Sequence, residues 1–357
     1  MNSTENSTQN STENSTVNDD AVIAEMTDPY VETQEFPGII YPTSVTATLA
    51  AFRRAFPAAA RLVPEEDDGA AALSVHSRDY VDFVKEGTRR PEGATKFPLN
   101  VIALPELRVS EPRTFEGRHA GYFFDEVTQA RPAVCEGALR SAAASRQGAR
   151  RLAGTVARDA GRPALVLVPS RPPGHHALPG VGGGLCLFAN AAIAARELSR
   201  GGRVAVLDID QDHGNGTQAV FYDDPSVLTV SIHAEGWPHV AGFAEETGGP
   251  GAPGSNLNLP LPTGSGFDAY EPALETALEA IVRFDPAYLV LALGYDAQRE
   301  QGFGALRLES EHFGVLGRRI AGLRLPTLVT TEGCYGYYES TAEAAGFFFD
   351  AWAEQWR

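Results

Sequence analysis

The chain has 357 residues and a mass of 38.1 kDa, and its 43% hydrophobic and 21% charged residues are typical of a folded globular protein. Acidic residues outnumber basic ones by 46 to 29, and the resulting net charge of -17 repels a phosphate backbone, which argues against general nucleic-acid binding. No apolar run approaches the roughly 20 residues that a membrane span requires, so we expect no membrane segment.

The N-terminal residues are of low complexity. They repeat Asn-Ser-Thr four times between Asn2 and Thr16 and contain neither the basic nor the apolar part of a secretion signal. We therefore predict that residues 1–29 form a disordered tail. No later linker is long or polar enough to separate two domains, so residues 30–357 are predicted to form one domain.

Short β-branched runs alternate with Ala-rich stretches along the rest of the chain. The predicted strands are residues 164–168, 203–207, 227–232, 288–293 and 327–330. The predicted helices are residues 189–198, 271–284, 311–323 and 342–356. This alternation predicts an α/β fold, with a mostly parallel central sheet and helices on both faces.

Polar side chains follow every predicted strand. Ligands of such sheets gather beyond the carboxyl ends of the strands, where five ends face one crevice. We therefore predict one shared site, formed by the segments 171–176, 208–216, 231–233, 294–296 and 332–335.

The residue types in these segments predict the hydrolysis of an amide. Carboxylates at Asp210, Asp212 and Asp296 are suited to a divalent cation, with coordination left for water and a substrate oxygen. A neighbouring histidine can take the proton of the water and return it to the leaving amine. Tyr335 can donate a hydrogen bond to the oxygen that becomes negative in the tetrahedral intermediate.

Five motifs carry a resemblance to a known family. Residues 171–177 read RPPGHHA, residues 183–195 are similar to GGFCFLNNAAIAA, residues 208–218 follow DxDxHHGNGTQ, residues 294–297 follow GxDA, and residues 332–335 follow EGGY. In these motifs the sequence resembles the histone deacetylase superfamily, which has an arginase/deacetylase-like fold. Residues 233–262, which include GFAEETG and NLNLPLP, point to bacterial acetylpolyamine amidohydrolases and class II-like deacetylases.

The resemblance implies a role for each site residue. His176 would be the general base and acid, His175 would assist electrostatically, and Tyr335 would polarise the scissile carbonyl. It further implies a zinc site and a structural potassium ion held by the backbone around Asp208, Asp210 and Ser231. The remaining implied residues are two orienting partners, Asp208 and Asn215, two metal ligands, Asp210 and Asp296, and the wall of a narrow apolar tunnel for an acyl-lysine or acylpolyamine, Gly184, Leu185, Gly333 and Cys334.

The sequence departs from the family at several of these positions. Asp212 stands where the family has its second, histidine metal ligand, and three carboxylates would favour Mn²⁺, Fe²⁺ or Mg²⁺ over Zn²⁺. The neighbouring His213 remains open as an alternative nitrogen donor. Leu185 replaces a tunnel phenylalanine, Gln301 replaces an aspartate near the third ligand, and Cys334 replaces a glycine.

Three functions are consistent with these residues. The first is a metal-dependent deacetylase or amidohydrolase that acts on a small acylated amine. The second is a repurposed enzyme of the same fold, with a non-zinc or degraded metal site, that uses the histidine pair and the tyrosine for other acid-base chemistry. The third is an inactive protein that binds an acylated ligand. Three scattered cysteines do not form a disulfide framework, which favours a reducing cytoplasm, and assembly into a homo-oligomer remains open.

Overall fold

The computed structural model describes residues 21–24, 35–36, 39–40, 43–91, 110, 112–159, 164–301 and 304–356. Its strands are β1 (Ala21–Ala24), β2 (Glu35–Phe36), β3 (Ile39–Ile40), β4 (Ala60–Leu62), β5 (Leu165–Val168), β6 (Val204–Asp208), β7 (Val227–Ala234), β8 (Asn256–Leu261), β9 (Tyr288–Leu293) and β10 (Thr327–Thr331). Its helices are α1 (Thr43–Ala55), α2 (Arg78–Gly87), α3 (Phe115–Tyr122), α4 (Pro132–Arg158), α5 (Asn190–Leu198), α6 (Asn215–Phe221), α7 (Phe267–Phe284), α8 (His312–Ala321) and α9 (Tyr338–Trp356).

Eight strands form one parallel sheet in the order β4-β1-β5-β10-β9-β6-β7-β8. All five predicted strands belong to it, and the predicted single α/β domain with a parallel sheet is confirmed. Strand β8 is not among the predicted strands, and its sequence Asn-Leu-Asn-Leu-Pro-Leu contains Pro260. Proline is tolerated there since β8 is an edge strand in the described part of the sheet, with β7 as its one neighbour there.

Strand β1 lies inside the segment that the sequence predicts to be a tail. Residues 21–24 pair in parallel with β4 on one side and with β5 on the other. They are therefore part of the central sheet, which corrects their assignment to the disordered segment 1–29. Residues 1–20 and 25–30 lie outside the described residues.

Helices cover both faces of the sheet because successive strand residues point to opposite sides. On one side, alternate residues such as Leu207, Leu289 and Leu291 pack with aromatic residues of α1 and α9, among them Phe52 and Phe349. On the other side, the intervening strand residues pack against the small residues of α4 and α5, with contacts formed by Val166, Val206, Val290, Ala144, Ala192 and Ala195. None of the helices in the described part of the chain is long and apolar enough to cross a membrane.

The strand register brings the predicted site segments to one edge of the sheet. Asp208, the last residue of β6, is aligned with Ser231 of β7 and with Ala292 of β9. Thr331, the last residue of β10, is aligned with Leu293 of β9. The segments that follow β5, β6, β9 and β10 therefore leave the sheet at the same level, where they form the candidate site. The predicted site residues 231–233 lie within β7 instead.

Candidate active site

Two buried histidines lie side by side after β5, and each has its own partner. The ring centroids of His175 and His176 are 3.8 Å apart, and both side chains are almost completely buried. The Nδ1 atom of His175 lies 3.0 Å from Oδ2 of Asp208, and Nδ1 of His176 lies 2.7 Å from Oδ1 of Asn215. The two predicted orienting partners therefore contact the two predicted histidines.

The surroundings of the two histidines shift their pKa values in opposite directions. Burial lowers the pKa of His175, but the nearby carboxylates of Asp210 and Asp208 raise it well above its ordinary value, which favours the protonated form of this ring. Burial and the charge of His175 lower the pKa of His176 well below its ordinary value. The neutral His176 ring donates its Nδ1 hydrogen to the Asn215 carbonyl oxygen, which leaves a lone pair on Nε2.

Asp210, Asp212 and Asp296 form a cluster of carboxylates at the ends of β6 and β9. One oxygen from each lies within 4.8 Å of the others, in an arrangement that could hold a metal ion. Oδ2 of Asp296 is buried and has no hydrogen-bond partner among the described residues. A Cβ atom at Gly333 would collide with the carboxylates of Asp210 and Asp296, so glycine leaves these oxygens accessible to a common ligand.

The three carboxylates are stable side by side only with a bound cation or with bound protons. Burial, followed by the charge of Asp296, raises the pKa of Asp212 to about 7, and burial likewise raises the pKa values of Asp210 and Asp296. Buried carboxylates repel one another unless a cation or a proton is shared between them. The all-oxygen donor set fits a hard divalent ion, whereas the protonated His175 is placed to offset only part of the negative charge.

His213 is not part of this cluster. Its Nε2 atom lies 3.1 Å from Oε1 of Gln218, and its ring packs against His233 at a centroid distance of 4.6 Å. The carboxylate of the preceding residue, Asp212, is the one that faces Asp210 and Asp296. The alternative nitrogen donor is therefore not supported by the geometry.

A cavity of about 350 Å³ opens onto one of the histidines and one of the clustered carboxylates. Its lining residues are Asp125, Val127, His176, Gly184, Leu185, Gln211, Asp212, Trp237 and Tyr335. A larger cavity, of about 460 Å³, is lined by residues 63–69 and part of α4 and contains none of the residues of the candidate site. We identify the smaller of these two as the candidate substrate pocket, because it joins an imidazole, a carboxylate and a phenol.

Two of the four predicted tunnel residues line this cavity. Gly184 and Leu185 lie in its wall in consecutive left-handed conformations, with φ of 55° and 68°. A Cβ atom at Gly184 would collide with the His176 ring, which explains the glycine. The other two do not belong to the lining: Gly333 donates its N–H to Asp210 at 2.7 Å, and Cys334 is buried with its Sγ atom 3.2 Å from Oγ1 of Thr341.

The sequence did not single out several residues that shape the pocket. Trp237 packs edge-on against His176 at a centroid distance of 4.2 Å, and no spacing rule relates it to the histidine motif. Asp125 accepts the N–H of Gly184 at 2.5 Å and so fixes the pocket wall. Glu332 belongs to a motif noted in the sequence, but its contacts were not predicted. Its Oε2 atom accepts the N–H groups of Gly174 and His175 at 2.6 and 3.1 Å.

A parallel α/β sheet with paired imidazoles and clustered carboxylates beyond its strand ends defines the class of this protein. The histone deacetylase domain matches residues 42–351, so the chain belongs to the histone deacetylase family. Over 305 residues it is 39% identical to the acetylpolyamine amidohydrolase of Burkholderia pseudomallei (strain 1710b), and the match covers 84% of this chain and 86% of that protein.

Two further comparisons agree with this assignment. The chain is 35% identical to the acetylpolyamine amidohydrolase of Mycoplana ramosa over 275 residues, which is 75% of this chain and 79% of that protein. The crystal structure of the acetylpolyamine aminohydrolase from Burkholderia pseudomallei has a TM-score of 0.78 and 33% sequence identity, and the match covers 90% of this chain and 92% of that chain. The superfamily predicted from the sequence motifs is thus confirmed.

Proposed function

We propose that the protein is a metal-dependent amidohydrolase that removes an acyl group from a small acylated amine. The observation that carries this proposal is that a neutral imidazole, a carboxylate of the candidate metal site and a tyrosine, namely His176, Asp212 and Tyr335, line one cavity. The names of the relatives, acetylpolyamine amidohydrolases, support the same reaction class and a small amine as the product.

The proposed cofactor is one divalent metal ion held by Asp210, Asp212 and Asp296. The oxygen donors favour Mn²⁺, Fe²⁺ or Mg²⁺, although zinc is the ion expected from the resemblance of the sequence. When bound, such an ion supplies positive charge that polarises an acyl carbonyl and acidifies water. The unpartnered Oδ2 atom of Asp296 supports this assignment, because a buried carboxylate oxygen without a donor is costly.

His176 is the proposed general base. Since its Nδ1 hydrogen is donated to Asn215, the lone pair on Nε2 is available to take a proton from a water molecule in the cavity. The water oxygen bonds to the acyl carbon as this proton leaves, and the same nitrogen then returns the proton to the amine as the C–N bond breaks. The products are the carboxylic acid and the free amine. His175 stays protonated beside Asp208 and Asp210 and stabilises negative charge in the transition state.

Tyr335 is the proposed donor to the carbonyl oxygen. It lines the cavity together with His176, so a tyrosine and a histidine border the same space. A hydroxyl that donates to the oxygen as it becomes negative stabilises the tetrahedral intermediate more than the substrate. The apolar parts of Leu185 and Trp237 complete the wall and suit an acyl or alkyl chain.

Purified protein loaded separately with Zn²⁺, Mn²⁺, Co²⁺ or Fe²⁺ tests the proposal, with acetate release from acetylated polyamines and from acetyl-lysine peptides as the readout. We expect turnover with at least one metal and loss of turnover in His176→Ala. Tight binding of an acylated ligand without acetate release under any metal would instead favour an acyl-binding protein.

Three secondary features are part of this proposal. The buried free cysteines Cys135, Cys186 and Cys334 support a reducing, cytoplasmic location. The resemblance supports a structural potassium ion near Asp208 and Ser231, whose backbones are adjacent in the β6–β7 register. Size-exclusion chromatography with light scattering tests whether the protein is a homo-oligomer.

A further inference from the structure

We propose that Gln301 is a positioning residue that sets the location of the Tyr335 phenol in the substrate pocket. This inference rests on the proposed function, because it gives Tyr335 a role in the reaction. Gln301 does not line the cavity, and it acts through the backbone of the segment that carries Tyr335.

Gln301 is completely buried and uses both polar atoms of its amide. Its Oε1 atom accepts the N–H of Tyr335 at 2.7 Å and the N–H of Gly336 at 2.5 Å. Its Nε2 atom donates to Oε1 of Gln298 at 3.2 Å and to Oγ1 of Thr341 at 3.3 Å. One side chain therefore joins the tyrosine segment to the first turns of α9.

The Tyr335 segment lies outside the regular elements of the fold. Residues 332–337 connect β10 to α9 and belong to no helix or strand, so their N–H groups need other acceptors. Asp210 accepts the N–H of Gly333, and Gln301 accepts two further N–H groups of this segment. A Cβ atom at Gly336 would collide with the Gln301 amide, which shows how closely the backbone follows this side chain.

The neutral amide suits this position better than a carboxylate. A carboxylate could accept both N–H groups, but it would add a buried negative charge to a site that already contains Asp210, Asp212 and Asp296. It would also lose the donor that contacts Thr341. Glutamine supplies an acceptor for the loop and a donor for α9 without adding charge.

Hydrogen exchange tests the contacts of Gln301 with residues 335 and 336 without reference to activity. Gln301→Met preserves the approximate volume of the side chain and removes both hydrogen bonds to the loop. We expect the amides of residues 335 and 336 to exchange about tenfold faster, as the loss of a hydrogen bond of ordinary strength predicts. The amides of β9, which lies in the middle of the sheet, serve as the internal reference and should not change.

Steady-state kinetics separates positioning from a merely structural role. We expect Gln301→Met to lower kcat roughly 10- to 100-fold with little change in KM, because a displaced catalytic group loses rate more than binding. In a Tyr335→Phe background the same substitution should lower kcat by less than about twofold. The hydroxyl that Gln301 is proposed to position is already absent in that background. Gln301→Glu, which retains the acceptor atoms, should restore protection of residues 335 and 336.

Gln147→Ala is the matched control. Gln147 also accepts a backbone N–H, that of Glu65 at 2.9 Å, but it lies on α4 away from the substrate pocket. The Gln147→Ala substitution should leave kcat unchanged. Unchanged exchange at residues 335 and 336, equal acceleration in β9, or an undiminished effect in the Tyr335→Phe background would overturn the proposal. If the wild-type protein shows no turnover but Gln301→Met still accelerates exchange at residues 335 and 336, the proposed function is contradicted. The hydrogen bonds between Gln301 and this segment are then still supported.

Discussion

The hydrogen bond between His176 and Asn215 decides which nitrogen of the candidate base faces the substrate pocket. The 2.7 Å contact joins Nδ1 of the ring to the carbonyl oxygen of the amide, which can only accept a hydrogen. The hydrogen of the neutral imidazole is therefore held on Nδ1. Because Asn215 is the first residue of α6, the same helix that follows the carboxylate segment also orients the base.

Replacing Asn215 tests this relationship. Asn215→Ala removes the acceptor, and we expect kcat to fall roughly 10- to 100-fold, as the loss of an orienting contact does elsewhere. Asn215→Asp retains an acceptor and adds a negative charge, which raises the pKa of His176 and moves the acidic limb of the kcat/KM profile to higher pH. An unchanged pH profile in Asn215→Asp would contradict the assignment of His176 as the base.

Substituting Asp212 by histidine tests the metal preference. Asp212→His replaces one of three oxygen donors by a nitrogen, so we expect affinity for Zn²⁺ to rise by about tenfold or more relative to Mn²⁺. Competition between the metal-free protein and a chromogenic chelator measures both affinities. Asp212→Asn is the control, because it removes the charge and should lower the affinity for both ions. Equal zinc affinity in the histidine variant and the wild type would show that residue 212 does not bind the ion.

Removing the metal should make stability depend on the charge of Asp212. The pKa of this carboxyl is about 7 in the fold and about 3.8 in a model peptide, so between these values the folded state holds a proton that the unfolded state has lost. Stability of the metal-free protein therefore falls as the pH rises through this window. We expect the thermal midpoint of metal-free Asp212→Asn to exceed that of the wild type at pH 8 and to approach it at pH 5. Added Mn²⁺ should remove most of the difference at pH 8.

His76 should give the stability of the fold the opposite dependence on pH. Its Nδ1 hydrogen is donated to the Leu178 carbonyl at 3.0 Å and its Nε2 atom accepts the N–H of Ala189 at 2.9 Å. Burial lowers its pKa from 6.5 to about 4, so the unfolded state binds the proton first and stability falls as the pH decreases from 6.5 to 4.

Urea unfolding of His76→Gln measures this loss. The difference in free energy of unfolding between the variant and the wild type should shift in favour of the variant by up to about 3 kcal/mol from pH 7 to pH 4. The reason is that glutamine cannot bind the proton that His76 binds in the unfolded wild type. The exposed His239 provides the control His239→Gln, which should follow the wild type. A constant difference between His76→Gln and wild type across this range would show that His76 does not titrate on unfolding.

Much of the site was predictable because it is encoded in contiguous motifs that follow strands. A parallel sheet brings the ends of its strands to one edge, so the amino-acid sequence alone is enough to predict that Asp210 and Asp296 lie together. The same reasoning placed the His175–His176 pair beside them. The central strands were found because their runs are apolar on both faces.

The remaining features depend on contacts that no local pattern encodes. Trp237 and Asp125 reach the pocket from loops whose course is set by tertiary packing. The family resemblance predicts that Cys334 lines the tunnel, but its Sγ atom contacts Thr341 in the interior. Strand β8 contains a proline and half-buried residues, so its sequence resembles a loop until its place at the sheet edge is known.

The strand order also has a consequence for how the protein is made. Strands β6 and β9 are neighbours in the sheet, but α6, β7, β8 and α7 are all synthesised between them. A nascent chain that ends before Asp296 lacks one side of the carboxylate cluster, and one that ends before Tyr335 lacks the phenol. The proposed ion-binding centre therefore forms only after Asp296 has left the ribosome, so shorter fragments released by premature termination cannot sequester metal through this centre.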